Sequence, residues 1–369
     1  TMKSLRNLIH CYGIDEDLIR VNAYGNNVVY TFKDNFRSKA ERKKYIDFND
    51  PDRFAGTVYE QTASGNPNSV SFITGSDFAD FSKEGFTSLT FEGEVIFPHK
   101  WTKRDVEWFR TPFVSASLFG WHTANPNAPE DFTWPANDWY MQAYAVRDEL
   151  ESNNAYFELV IGGGGVVPEL SLTSSVFYDI YDNQKWNFAI RVSPDKVGGD
   201  LVSGTVGATE TTFQIEFYGV NSEVDVVAND FYLSTGSLNI LYGGHLVEAK
   251  RIYGGAHRTN FTGSVVDYSD IKLSSMRYWA SYLNDDVIKA HARDAANFGT
   301  LHPYKSTYLY PQDMAGIHIP QMETLALQWD FNQVSSSGDG LIPNARDAGF
   351  VVQDLSSGSL ALAERYRNL

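Results

Sequence analysis

Only one of the 369 residues is a cysteine, Cys11, so an intramolecular disulfide is impossible and a disulfide-framed small domain is excluded. Cys11 sits in the apolar run Leu8-Ile9-His10-Cys11-Tyr12 and reads as a buried, inert thiol. Long apolar runs are missing too. No stretch approaches the roughly 18 residues a membrane-spanning helix needs, and Thr1-Met2-Lys3-Ser4-Leu5 has no secretory-signal core. The two ends read as the borders of an excerpt from a longer polypeptide. Positive charge is scarce, with 30 Lys and Arg against 46 Asp and Glu and a net charge of −16. Nucleic acid and anionic membrane, which demand a basic surface, are therefore not expected partners. The one basic cluster, Arg37, Lys39, Arg42, Lys43 and Lys44, reads as a solvated helical face. No internal repeat is found.

Catalytic signatures are also lacking. Glycoside hydrolysis needs two carboxylates flanking the scissile bond. The segment Glu223-Val224-Asp225-Val226-Val227-Ala228 starts an alternating acidic triad but has no third carboxylate. Glu92 and Glu94 share one strand face and read as solvent-facing. The eight histidines (10, 99, 122, 245, 257, 291, 302 and 318) show no zinc-site spacing, and His291 reads as a helix-end residue. Gly162–Gly165 precedes no phosphate-cradling helix and reads as a flexible turn.

What is present is aromatic and β-branched: 24 Phe, 21 Tyr and 8 Trp, which suit pleated, half-buried surfaces. Residues 3–12 carry apolar positions at helical spacing. Asn26-Asn27 and Asn49-Asp50-Pro51-Asp52 mark turns, so residues 1–54 read as a small helical and irregular module. Beyond it the period becomes two. Leu89, Phe91, Val95 and Phe97 alternate with polar residues up to Pro98. Trp186, Phe188, Ile190 and Val192 do the same up to Pro194, and Phe213, Ile215 and Phe217 follow the pattern. Further strands are expected at 70–73, 114–119, 140–147, 156–161, 170–172, 231–233 and 248–253. About ten short strands separated by turn residues predict a mainly β, two-sheet antiparallel sandwich over 55–292. Residues 293–369 read as a partly extended connector, with strands at 324–331 and 349–354 opening a further β region.

The segment from Ser269 to Ile288, with Arg277, Trp279, Leu283, Asn284, Asp286 and Ile288, resembles the closing strand and short helix of laminin-G-like, concanavalin A-like domains. Independently of that likeness, Asn284 followed by Asp285 and Asp286 is a sound helix start, a capping side chain with acids at the positive dipole end. The resemblance implies a jelly-roll sandwich and, as in some relatives, a rim calcium site. Asp77, Asp80, Asn229 and Asp230 are the candidate ligands, although turn residues capping their own backbone explain them better. No other cofactor is expected. Tyr181–Asn187 and Leu5–Ile14 are similar to large virion proteins of marine tailed phages. That resemblance implies a virion location and a non-catalytic structural or decoration role, docked on other virion subunits in a symmetric assembly.

The loop-rich stretch 98–139 supplies the candidate patch Trp121, His122, Asn125, Trp134, Asn137, Asp138 and Trp139. Flat rings stack on sugar faces while amides and carboxylates bond hydroxyls, yet the same aromatics anchor subunit interfaces. The interface reading stands ahead of host-surface glycans. The alternatives are a polysaccharide-cleaving glycoside hydrolase and an extracellular adhesin or lectin domain at a cell surface.

Overall fold

The computed structural model describes residues 8, 11–12, 44–59, 88–99, 112–123, 134–135, 138–150, 152–196, 199–200, 205–206, 212–223, 226–248, 250–260, 263–294, 325–336 and 350–354. The chain divides into two units, 1–40 and 41–369. In the first, Leu8 and Cys11 are helical. Cys11 is exposed, as are Leu8 and Tyr12, so the expected buried thiol is corrected. An apolar run gives a helix a sticky face but does not by itself supply a covering surface.

The second unit is built of antiparallel strands. They are β1 (Ile46–Asp47), β2 (Thr57–Tyr59), β3 (Leu89–Phe97), β4 (Ser115–Thr123), β5 (Met141–Arg147), β6 (Ala155–Ile161) and β7 (Leu170–Thr173). Next come β8 (Gln184–Lys196), β9 (Gly199–Asp200), β10 (Thr205–Val206), β11 (Thr212–Glu223), β12 (Val226–Ser234), β13 (Leu238–Asn239) and β14 (Lys250–Gly255). The last are β15 (His257–Arg258), β16 (Val265–Asp267), β17 (Lys272–Trp279), β18 (Leu325–Ser336) and β19 (Phe350–Asp354). Two short helices are α1 (Gly244–Val247) and α2 (Asp285–Arg293).

The strands form a sandwich. The larger sheet runs β12-β11-β8-β3-β17-β18-β19, with β1 on β17 and β13 on β11. The smaller runs β2-β14-β4-β5-β6-β7, and β15 pairs with β16 as a separate hairpin. Strand alternation delivers one side chain in two to the shared core. Ala155, Phe157, Leu159 and Ile161 of β6 are fully buried there, opposite Trp186, Phe188, Ile190 and Val192 of β8. Phe157 sits at the centre, its ring 4.7 Å from Phe188, 4.9 Å from Trp186 and 5.4 Å from Phe231.

The expected strand at 89–97 matches β3, but its expected polar face is wrong. Glu92 and Glu94 are 2% and 1% exposed: α2 covers Glu92 through His291, and Glu94 lies against Ser274 and Lys185. A second apolar cluster of Ala189, Tyr218, Val220, Trp279, Leu283, Ile288 and Ala292 fills the space beneath the helix. The predicted cap is there: Asn284 Oδ1 accepts from the Val287 N–H at 3.0 Å, and Asp285 and Asp286 occupy the first turn.

Two further expectations change. Strand β8 does not stop at Pro194. The register skips Asp195 where Phe213 faces Pro194 and Thr212 faces Lys196, a bulge that accommodates the missing proline N–H. The strand expected to open a new β region, β18, instead pairs with β17 along Ser275–Trp279, and β1 pairs with β17 at Leu273. Strands from before residue 54 and after residue 292 thus pair with the same strand of the larger sheet. The strand expected at 70–73 lies outside the described residues. Among the described residues, no helix is long and apolar enough to cross a membrane.

Candidate functional site

Consecutive residues of a strand face opposite ways, and this splits the predicted aromatic patch. Trp121 of β4 is fully buried in the core, its register partner being Met141. Trp139 is 7% exposed, its ring against Gly164 and Gly244 and edge-on to His245 at 5.0 Å. Neither indole can lie on a ligand, and both are removed from the patch. Asn125 and Asn137 lie outside the described residues. His122, Trp134 and Asp138 do come together, on the outer side of the smaller sheet.

His122 is the centre of that group and is 3% exposed. Its Nδ1 lies 2.5 Å from Asp138 Oδ2, and the other Asp138 oxygen accepts from the Thr123 N–H at 2.9 Å. The Thr123 hydroxyl donates to the Trp139 carbonyl and accepts from the Trp139 N–H, both at 2.8 Å, which fixes Asp138 beside β4. The Trp134 ring stacks face to face on His122, centroids 3.8 Å apart and planes within 10°. Its indole N–H donates to the Arg258 carbonyl at 3.1 Å.

The remaining members come from β5, β14 and the β15–β16 hairpin. His122 Nε2 lies 3.0 Å from His257 Nε2. The two rings are near-coplanar, 5.2 Å between centroids, so they meet edge to edge as in an N–H···N hydrogen bond. His257 Nδ1 in turn faces Asp267 Oδ2 at 3.5 Å. The Tyr144 hydroxyl donates to the same Asp267 carboxylate at 3.0 Å, Tyr140 donates to Glu169, and Tyr253 donates to Gln142. Tyr253 reaches Gln142 across Gly120, where any Cβ would collide with the Tyr253 hydroxyl and the Met141 carbonyl.

Burial first, then Asp267, pushes the Tyr144 hydroxyl far above its ordinary range. Burial and Glu169 do the same to Tyr140. Both phenols therefore stay protonated as donors. Burial holds His122 below the usual histidine value, against the pull of Asp138. The hairpin's Asp267 is held low by its bond to His257, burial notwithstanding.

A second polar cluster lies beneath α2. Glu92 accepts from Asn187 Nδ2 at 3.1 Å, Trp279 Nε1 at 2.9 Å and His291 Nδ1 at 2.8 Å. Burial raises the Glu92 carboxyl, but His291, Arg277 and these bonds outweigh it and hold it below the ordinary range. His291 is a helix-end residue as expected, yet it is buried. This cluster docks the helix.

Among the described residues no group of three or more His, Cys, Asp or Glu side chains is placed to hold a metal. Asn229 and Asp230 are neighbours on β12 and point to opposite faces, so they cannot share an ion. Asp230 is taken by the Tyr218 hydroxyl and by Lys289 at 3.4 Å. Asp77 and Asp80 lie outside the described residues. Of the truncated acidic triad, Glu223 is exposed at the end of β11, and Asp225 is not described. The four-glycine run is an ordered turn: Gly164 adopts φ 61° against the Trp139 indole, and a Cβ on Gly162 would strike the Tyr140 ring. Close packing, more than flexibility, explains those glycines.

No protein-family model and no curated protein matches the sequence. Similar solved structures include tailspike protein 2 of the Escherichia coli bacteriophage CBA120. The full-length tailspike is 11% identical over 68% of this chain and 26% of that one, with a TM-score of 0.36. Its enzymatically active domain is 11% identical over 71% and 32%, with a TM-score of 0.35. The CBM40 module of a Ruminococcus gnavus IT-sialidase, bound to α2,3-sialyllactose, is 10% identical over 58% and 91%, with a TM-score of 0.28. The match thus spans a third or less of either tailspike chain. At these values the likeness carries no argument about this chain, and function has to be argued from the residues.

Proposed function

We propose that this chain is a non-catalytic, glycan-binding sandwich of the concanavalin A-like jelly-roll kind, carried on a tailed-phage virion and docked to neighbouring subunits. The observation that supports glycan binding best is the Trp134 platform. A half-buried indole is fixed on one side by the His122 ring and at its N–H by Arg258. A preorganised ring of this kind suits the C–H face of a sugar. Around it, Asp138, Tyr140, Tyr144 and Asp267 offer oxygens to hydroxyl groups, the mixed apolar and polar lining typical of ligand sites.

One feature favours binding over cleavage: His122 is buried with both ring nitrogens engaged, by Asp138 and by His257, so it is not free to take a proton from a ligand. The virion setting rests on the sequence resemblance at 181–187 and 5–14.

The test is a glycan array followed by titration calorimetry on the best ligand. Trp134→Ala is expected to weaken binding about tenfold, near 1.4 kcal/mol, with the fold unchanged by circular dichroism. Absence of any retained glycan on the wild-type chain would overturn the reading, as would release of new reducing ends from a bound polysaccharide.

A further inference from the structure

We infer that His122 and His257 form an acid-released latch that ties the β15–β16 hairpin to the outer side of the smaller sheet. The argument is one of proton counting. At 2.5 Å from Asp138, His122 Nδ1 carries a proton and donates it. A neutral His122 then has only a lone pair at Nε2, and the 3.0 Å contact requires the proton between the rings to sit on His257 Nε2. A further proton fits on His257 Nδ1, which faces Asp267, without disturbing the bond between the rings. The next must go to His122 Nε2. That sets two N–H groups against each other at hydrogen-bond distance and joins two cations, so the contact has to open.

The groups around the pair fit this sequence. Asp138 and Asp267 sit at its two outer ends, one on each ring. Tyr140 lies beside His122 on the sheet side, and Tyr144 is bonded to Asp267. From β14, Tyr253 lies near both rings, and Arg251 is the register partner of His122. Arg258, next to His257, is turned away to the carbonyls of Gly263 and Ala55. Burial first, and then the neighbouring His257, oppose a charge on the His122 imidazole and lower its affinity for protons against the pull of Asp138. The latch therefore stays shut through neutral and weakly acidic pH.

What it secures is the hairpin. His257 and Asp267 are register partners within it, so the His122, Tyr144 and Trp134 contacts all hold this one two-stranded element. Opening would free Trp134 and Asp138 to move, and glycan affinity should then fall with acid. That last step rests on the glycan-binding reading; the latch itself does not.

The experiment is histidine-15N NMR of the full chain with amide hydrogen exchange, run from about pH 7.5 to about pH 4.5. At neutral pH one protonated and one unprotonated Nε2 are expected, coupled across the bond. On acidification His122 should protonate last, together with loss of protection at the Thr259 amide, which bonds Ser264 across the hairpin. In His257→Gln that amide should be poorly protected throughout, while β5 and β6 amides remain protected. Independent titration of the two rings, or hairpin protection that persists after His122 is charged, would overturn the latch. Glycan titration on the same samples separates the two ideas. A working latch with no glycan bound at any pH sinks the functional reading alone, whereas pH-independent glycan binding with the rings uncoupled sinks the latch alone.

Discussion

Glu92 illustrates what a single buried carboxylate demands. It sits under α2 with three hydrogen-bond donors and Arg277 nearby. Removing one member of such a set leaves the rest desolvated and uncompensated, so Glu92→Gln should cost on the order of 3 kcal/mol in chemical denaturation at neutral pH. The sign of its pH dependence follows from its lowered pKa. The stabilisation is complete above the unfolded-state value of about 4.3. It is lost as pH falls through the lower folded-state value. Denaturation curves between about pH 7 and about pH 3 should converge for wild type and variant at the acid end. At Phe157, ringed by Phe188, Trp186 and Phe231, truncation to alanine should cost about 3–5 kcal/mol through the cavity it leaves, read as a lower urea midpoint with unchanged slope. The residue scale also explains the partial success of the predicted patch. A contiguous run contains both faces, so Trp121 and Trp139 went to the core while their neighbours His122 and Asp138 face the outer side of the smaller sheet. The outward Tyr140, Gln142 and Tyr144 carry a period-two signal that could have marked the site, but His257 and Asp267 arrive from a hairpin more than a hundred positions away and left no local trace.

At the level of elements, β3 and α2 show where local sequence suffices. The alternation at 89–97 and the Asn284-Asp285-Asp286 start are both short-range and both present in the structure. Asn284→Ala should cost about 1 kcal/mol, and Asn284→Asp should restore most of it, measured by thermal unfolding. What lies above a strand is not short-range information. The polar side of β3 looked solvated because the helix that buries it is nearly two hundred residues downstream. Likewise the strand at 325–336 gave no sign from its own residues that β17 would be its partner, since pairing choice depends on which sheet edge stands open.

For the molecule as a whole, charge bears on ligand choice. Asp138, Glu158, Glu169 and Asp267 surround the outer side of the smaller sheet, against Arg251 at its base, and the chain carries −16 overall. Neutral polysaccharides are expected to bind more tightly than polyuronates of matched length. Raising salt should narrow that gap by screening the repulsion, which affinity electrophoresis at two ionic strengths would measure. A preference for polyuronates would contradict the charge argument.

Strand β5 carries a consequence of its own. Met141, Ala143 and Ala145 face the core between the sheets, while Gln142 and Tyr144 face the other side of the smaller sheet, Gln142 buried against Ser117 and Tyr253 and Tyr144 bonded to Asp267. The two sets interleave along one chain segment and face opposite ways. Mutational drift can therefore rewrite what the protein recognises, position by alternate position, while the scaffold beneath keeps the same interior.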